Sequence, residues 1–117
     1  MGTAIKKAKY KIKHLYHATY KVNIWVCYGT PDNYFKKQMK KELDLDIQED
    51  LPMGQCLANY KKALYIIWTR KKYLPDLVHE CFHATFFILK DKGLKLDDSS
   101  DEAYAYLLAE IFNFAIS

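Results

Sequence analysis

Residues 77 to 89 read LVHECFHATFFIL and combine two histidines and a glutamate with a largely apolar sequence. His79 and His83 are four residues apart, so in a helix they differ by about 40° in direction and lie on one face. Most of the other residues are apolar, which predicts a helix that is central in the core. Buried polar side chains need partners. The stretch therefore indicates a functional site formed by its polar side chains as well as a core helix.

The spacing of these polar residues suits zinc chemistry. Two imidazoles on one face can bind one zinc ion through nitrogen at about 2.0–2.1 Å. Glu80 is offset from His79 by about 100°, beside such a metal rather than on it. There it can take a proton from a zinc-bound water, the role of the glutamate in an HExxH motif. A metal-free helix, with histidines satisfied by backbone or water, is the competing interpretation.

A catalytic zinc usually has three protein ligands and one water. Eighteen residues separate His83 from Glu102, which begins a second predicted helix that must fold back over the first. Ala105 and Ala109 are small enough to let the two helices approach closely. Glu102 is the favoured third ligand, and Glu110 is the alternative.

The rest of the chain predicts an α+β fold. Residues 20–29 and 63–70 are rich in β-branched and aromatic residues, and 54–60 is also extended. Thr30 and Pro31 predict the start of a helix, as Pro75 and Asp76 do for the helix that ends near Gly93. Ser99 or Ser100 begins the last helix. We expect a sheet of about three antiparallel or mixed strands, packed on the HExxH helix and the C-terminal helix.

The composition predicts one soluble domain over residues 1–117, in which the basic residues 1–16 are an extension or an edge element. No apolar run is long enough to span a membrane. Cys27, Cys56 and Cys81 form no CxxC pair, and we expect reduced buried thiols and a cytoplasmic location. Arg70 is the only arginine among 18 basic residues, which argues against sequence-specific nucleic-acid binding.

The segments ALYIIWT, LVHECFHATFFIL and DEAYAYLLAEIF together resemble the zincin-type metallopeptidases, specifically the small gluzincin-like domains (HExxH…E) of phages and mobile elements. The element order resembles that family over about residues 20 to 117, whereas the motif itself covers 79–83 and 102–106. The family often places an aspartate four residues after the third ligand. Tyr106 occupies that position here, and the chain lacks the second subdomain that usually forms one wall of the cleft.

The resemblance implies a zinc-dependent hydrolase that cleaves peptide or amide bonds of a peptide or protein substrate through a zinc-bound water. It implies His79, His83 and Glu102 as Zn²⁺ ligands and Glu80 as general base and acid. Zincins usually add a donor to the oxyanion, for which Tyr106 is the candidate here and Tyr104 the alternative. The substrate backbone would pair with the 63–69 strand. The alternative is a catalytically weak or inactive zincin-fold binding module, such as a phage-encoded inhibitor, in which zinc is mainly structural. For a phage protein the location would be the host cytoplasm.

Overall fold

The computed structural model describes residues 11–29, 32–47 and 51–117. These residues form a four-stranded mixed sheet and three helices, which confirms the predicted α+β class. The strands are β1 (Lys11–His17), β2 (Val22–Tyr28), β3 (Gly54–Asn59) and β4 (Leu64–Thr69), and the helices are α1 (Asp32–Leu43), α2 (Leu74–Asp91) and α3 (Asp101–Ile116). Residues 1–10, and the predicted helix start at Thr30 and Pro31, lie outside the described residues.

The sheet has the strand order β1-β2-β4-β3. β1 pairs antiparallel with β2, β2 pairs parallel with β4, and β3 pairs antiparallel with β4. The prediction of three strands was therefore wrong by one, because β1 forms from the ambiguous N-terminal segment and adds an edge strand. Its alternating lysines suit an edge position, where one face of the strand stays in water.

The alternation of side chains along β4 divides the core into two layers. Ile66 and Trp68 face α1, whereas Tyr65 and Ile67 face α2 and α3, and all four side chains are fully buried. A strand that is buried on both faces and paired on both edges must be apolar along its length. This explains why LYIIWT is the most hydrophobic of the strands.

The single arginine holds α1 against the sheet. Arg70, directly after β4, donates from Nη1 and Nη2 to the two carboxylate oxygens of Asp32 at 2.9 and 3.1 Å. Its Nη2 also donates to the carbonyl of Leu51 at 2.8 Å. The bidentate contact joins the first turn of α1 to the end of β4, which is a structural use of arginine.

Helices α2 and α3 form an antiparallel pair against the sheet. Near one end the rings of Phe86 and Tyr104 lie 6.4 Å apart, and near the other Lys72 Nζ donates to the carbonyl of Ile116 at 3.2 Å. Gly93, at a φ of 85°, follows the end of α2 as predicted, and Ser100 is the N-cap of α3. In the part of the chain that the structure describes, none of these helices is long and apolar enough to cross a membrane.

The prediction that α2 is central in the core was wrong for one of its faces. Leu77, Cys81, Ala84 and Ile88 are fully buried against the sheet and α3. The opposite face is open to solvent, because the helix is covered on one side only. That open face carries both histidines of the motif.

Candidate functional site

His79 and His83 lie together on the solvent-facing side of α2. Their Nε2 atoms are 3.1 Å apart, and the ring centroids are separated by 4.7 Å with an interplanar angle of 76°. Two nitrogens bound to one tetrahedral zinc at 2.0–2.1 Å lie about 3.3 Å apart. The pair therefore has the separation that a shared metal ion requires, and a hydrogen bond between the two imidazoles fits the same distance.

The ring of His83 is held by its helical neighbours. Phe87, one turn further along α2, stacks on it at a centroid distance of 6.1 Å and an angle of 21°. His79 is more exposed and contacts His83 on the side away from Phe87. The local sequence therefore orients both rings, since residues four apart on a helix are neighbours.

Glu80 points away from the solvent and towards the sheet, and only 6% of its surface is exposed. Burial raises the pKa of its carboxyl group, and the neighbouring histidines His79 and His83 partly oppose that rise. Asp76 adds a smaller upward contribution. A raised pKa brings a carboxylate closer to the working pH of a general acid or base. The raised pKa thus suits a proton-transfer residue, whereas the carboxylate itself lies against the sheet rather than on the open face with the histidines.

A glycine in the edge strand β3 makes room for this carboxylate. A Cβ atom at Gly54 would lie 2.9 Å from Oε2 of Glu80 and 3.0 Å from its Cγ. Any larger residue at this position would displace the glutamate side chain. The sequence reasoning missed Gly54, although an isolated glycine in a strand is a known signal of close approach by another group.

We expect Gly54→Ala to push Glu80 out of its buried position and to lower the pKa of its carboxyl group towards the ordinary value. The same change should cost about 1–3 kcal/mol of stability, as overpacking usually does. The pKa would be followed by carbon-detected NMR of the Glu80 carboxyl group across a pH titration. The matched control is Gly93→Ala, which strains a positive φ but has open space around the new Cβ. An unchanged pKa in Gly54→Ala would contradict the contact.

The structure does not bring the other predicted site residues to the histidine pair. Glu102 is exposed in the first turn of α3, and Tyr106 is 68% exposed one turn later. Glu110 contacts His17 instead, with 3.3 Å between its Oε2 and the imidazole Nε2. Tyr104 is buried, and its hydroxyl donates to the carbonyl of Leu94 at 2.5 Å. Within residues 11–29, 32–47 and 51–117, no three His, Cys, Asp or Glu side chains are grouped so that they could hold a metal ion.

The length of α2 explains where Glu102 lies. The helix continues for eight residues beyond His83, to Asp91, which is about 12 Å along its axis. Because α3 runs antiparallel, its first turn lies beside the last turns of α2, past the level of Phe86. The His79–His83 pair fits a metal ion as two ligands, and Glu102 would have to move towards His83 to become the third.

The strand beside Glu80 is not the one that the sequence suggested. The 63–69 segment was expected to pair with substrate, but β4 lies inside the sheet between β2 and β3 and has no free edge. β3 is the edge strand on this side, and Gly54 is its first residue. A strand that pairs on one side only keeps backbone groups free on the other, so β3 is the strand that can accept an extended peptide.

Two concave surfaces of the described chain lie away from this site. One, of about 380 Å³, lies between the sheet and α1 and includes Trp25, Phe35 and Glu42. The other, of about 530 Å³, lies around the His17–Glu110 contact. Neither includes His79, Glu80 or His83. His79 is exposed and His83 is half-buried, so both imidazoles are accessible from solvent.

The remaining histidines and the cysteines have structural roles. His14 stacks on Trp25 with ring centroids 4.5 Å apart. Cys27, Cys56 and Cys81 are free thiols, and burial raises the pKa of Cys27 and of Cys81 to about 12. Thiols with such values carry almost no thiolate at neutral pH, so they are poor nucleophiles and poor metal ligands.

Comparison with known proteins identified no relative of this chain. No protein-family model matches the chain, and neither a curated protein nor a solved structure is significantly similar to it.

Proposed function

We propose that this protein is a zinc-dependent hydrolase of peptide or amide bonds, with His79 and His83 as metal ligands and Glu80 as the proton-transfer residue. The observation that carries the proposal is the 3.1 Å separation of the two imidazole nitrogens at the surface, next to a buried glutamate with a raised pKa. The HExxH spacing of the sequence supports the same assignment.

Each residue has a distinct part in the proposed reaction. Bound zinc would supply Lewis-acid chemistry at the substrate carbonyl. Glu80 accepts a proton from the attacking water and returns it to the leaving nitrogen, and its raised pKa suits both steps. Phe87 holds the ring of His83 in place. Glu102 becomes a third ligand, and Tyr106 an oxyanion donor, only if the first turns of α3 move towards His83.

The edge strand supports a peptide as the substrate class. β3 runs beside Glu80 and, among the residues that the structure describes, has one unpaired edge, along which an extended peptide can add as a further strand. Main-chain hydrogen bonds along this edge would hold the scissile bond near Glu80. The three free cysteines support the cytoplasmic location that we propose with this activity.

The test of the metal site is zinc titration of the untagged protein by isothermal calorimetry. His79→Ala and His83→Ala should each lower zinc affinity by more than about 100-fold, because even residues around the ligands of a metal site contribute about 10- to 100-fold. The matched control is His14→Ala, which removes an imidazole stacked on Trp25 without affecting α2. Equal zinc affinity in wild type, His79→Ala, His83→Ala and His14→Ala would overturn the assignment of the two histidines as metal ligands.

A zincin-fold binding module with structural zinc is the second candidate function. The observation behind it is that no third ligand is grouped with His79 and His83 among the described residues, which speaks against a catalytic zinc but not against a peptide-binding role of β3. Cleavage of a peptide library with the zinc-loaded protein separates the two functions. Zinc-dependent cleavage that is lost in His83→Ala supports the hydrolase, and zinc binding without any cleavage supports the module.

A further inference from the structure

The open face of α2 carries a continuous row of apolar side chains, which we call the apolar stripe: Leu74, Val78, Phe82 and Phe86. Its members are four residues apart, so they follow one another along a single side of the helix. Leu74 is 50% exposed, Val78 and Phe82 are each 39% exposed, and Phe86 is half-buried. The stripe is a contiguous apolar patch of the kind that is often functional on a protein surface.

The histidine pair lies directly beside the apolar stripe. His79 follows Val78, and His83 follows Phe82. Between Asp76 and Lys90, every exposed or half-buried residue of α2 is aromatic, aliphatic or histidine: Val78, His79, Phe82, His83, Phe86 and Phe87. Charged groups lie only at the ends of this part of the helix, where the ammonium of Lys90 lies 5.7 Å from the centre of the Phe86 ring, so the middle of the surface can approach an identical surface without like-charge repulsion.

The site is also incomplete as a metal centre. Zinc in proteins takes four ligands, and two are present here. Protein donors for the other two positions would have to come from a surface that can approach the open face of α2. A second copy of the chain offers both at once, because it presents two imidazole nitrogens 3.1 Å apart on an apolar surface.

We infer that two copies of this chain form a zinc-bridged dimer across α2, with His79 and His83 of each copy as the four ligands of one zinc ion. The inference rests on the metal site of the proposed function. A two-fold axis through the zinc ion makes each histidine pair meet the same pair and each apolar stripe meet itself, whether the two α2 helices run parallel or antiparallel. Such an isologous contact closes after two subunits.

Zinc is required for this dimer because the apolar contact alone is small. Four partly exposed side chains on one helix contribute on the order of 300 Å², well below the roughly 800 Å² per partner of a stable interface. Metal coordination supplies the missing affinity. Removing the metal therefore dissociates the dimer into folded monomers, since Phe86 is the one residue of the stripe that packs against the core of the chain.

The dimer regulates the proposed hydrolase. Four histidine ligands close the coordination shell, whereas catalysis needs an open position for water. The second copy also covers the open face of α2 beside Glu80. Activity therefore requires a monomer in which Glu102 has moved towards His83 as the third ligand, and the activity per chain falls as the protein concentration rises in the presence of zinc.

The experiment is sedimentation velocity of the untagged full chain with half an equivalent of zinc and, separately, with EDTA. The expected result is a doubled mass with zinc, one zinc per two chains, and the monomer mass in EDTA. Phe82→Lys places like charges across the two-fold axis and should keep the protein monomeric while it still binds zinc, and Val78→Lys repeats the test one turn away. Tyr16→Lys, at an exposed aromatic residue on β1, is the matched control and should dimerise as the wild type does.

Each outcome has a distinct meaning. A monomer that binds one zinc per chain at all concentrations overturns the dimer and leaves the metal site intact. A dimer that persists in EDTA, or in both lysine variants, also overturns the zinc-bridged contact. Absence of zinc binding in the calorimetric titration overturns the dimer and the proposed function together.

Discussion

Replacing Glu80 with glutamine should leave zinc binding intact and lower the rate of peptide hydrolysis by about 10²- to 10⁴-fold. The amide has nearly the same shape as the carboxylate and fits the space over Gly54, but it cannot accept a proton from water. The rates and the zinc content of wild type and Glu80→Gln would be measured on the same samples. Unchanged hydrolysis in the variant would refute the role of Glu80.

Although Glu80→Gln lowers the rate of hydrolysis, it should raise the free energy of unfolding at neutral pH. Burial raises the pKa of Glu80 above its ordinary value of 4.5, so the stability linked to this group is fully present below about pH 4.5 and is lost as pH rises through the folded-state pKa. Glutamine stays neutral throughout and avoids that loss. Glu80→Gln should therefore be more stable than wild type at pH 7 and equal to it at pH 4.

The stability comparison would be made by urea denaturation at both pH values. Glu42→Gln is the matched control, because it removes a carboxylate from α1 on the other side of the sheet. A variant less stable than wild type at pH 7 would mean that the Glu80 carboxylate is stabilised in the fold by a contact other than those described. Glu80→Gln is thus expected to gain stability and lose activity, because the buried Glu80 carboxylate is unfavourable for the fold but needed for the reaction.

Trp68→Ala should lower the free energy of unfolding by about 3–5 kcal/mol, the range for a large aromatic residue removed from a core. Trp68 is fully buried on the α1 face of β4 and stacks on Phe35, with ring centroids 5.3 Å apart. The guanidinium of Arg70 also lies over its ring, at 5.3 Å. The loss is a large share of the total of about 5–15 kcal/mol typical of a domain.

The matched control for this prediction is the other tryptophan of the chain. Trp25 is only half-buried and stacks on the exposed His14, so Trp25→Ala should cost clearly less than Trp68→Ala. Both variants would be unfolded in urea and followed by circular dichroism, since each substitution removes a fluorophore. Equal losses would contradict the interior position of β4.

Several features of the site could be predicted from the sequence because they depend on neighbours along the helix. The common face of His79 and His83 follows from the helical repeat, and the structure confirms it. The turn of Glu80 away from that face follows from the same repeat. The Gly93 end of α2 also depends only on local backbone geometry. Zinc binding itself and the zincin resemblance stay predictions.

Other features depend on which distant segments meet, and the sequence pattern did not contain them. β4 lies inside the sheet because residues 22–28 pair with it in parallel on one side while β3 occupies the other. A hydrophobic strand can be interior or at a partly covered edge with the same alternation of side chains. The assignment of the substrate strand was therefore wrong, and only the tertiary pairing identifies β3 as the edge.

The local elements could be predicted from the sequence: an HExxH helix, three strands of strong β character and a C-terminal helix. The position of His79 and His83 on one face of the helix could be predicted as well. The tertiary structure decided which face of α2 stays in water, how far Glu102 lies from His83, and which strand borders Glu80. The two groups of features differ in how far apart along the chain the contacting residues lie. Helical periodicity and capping arise from backbone contacts over about four residues, whereas burial and strand order arise from packing between segments that are tens of residues apart.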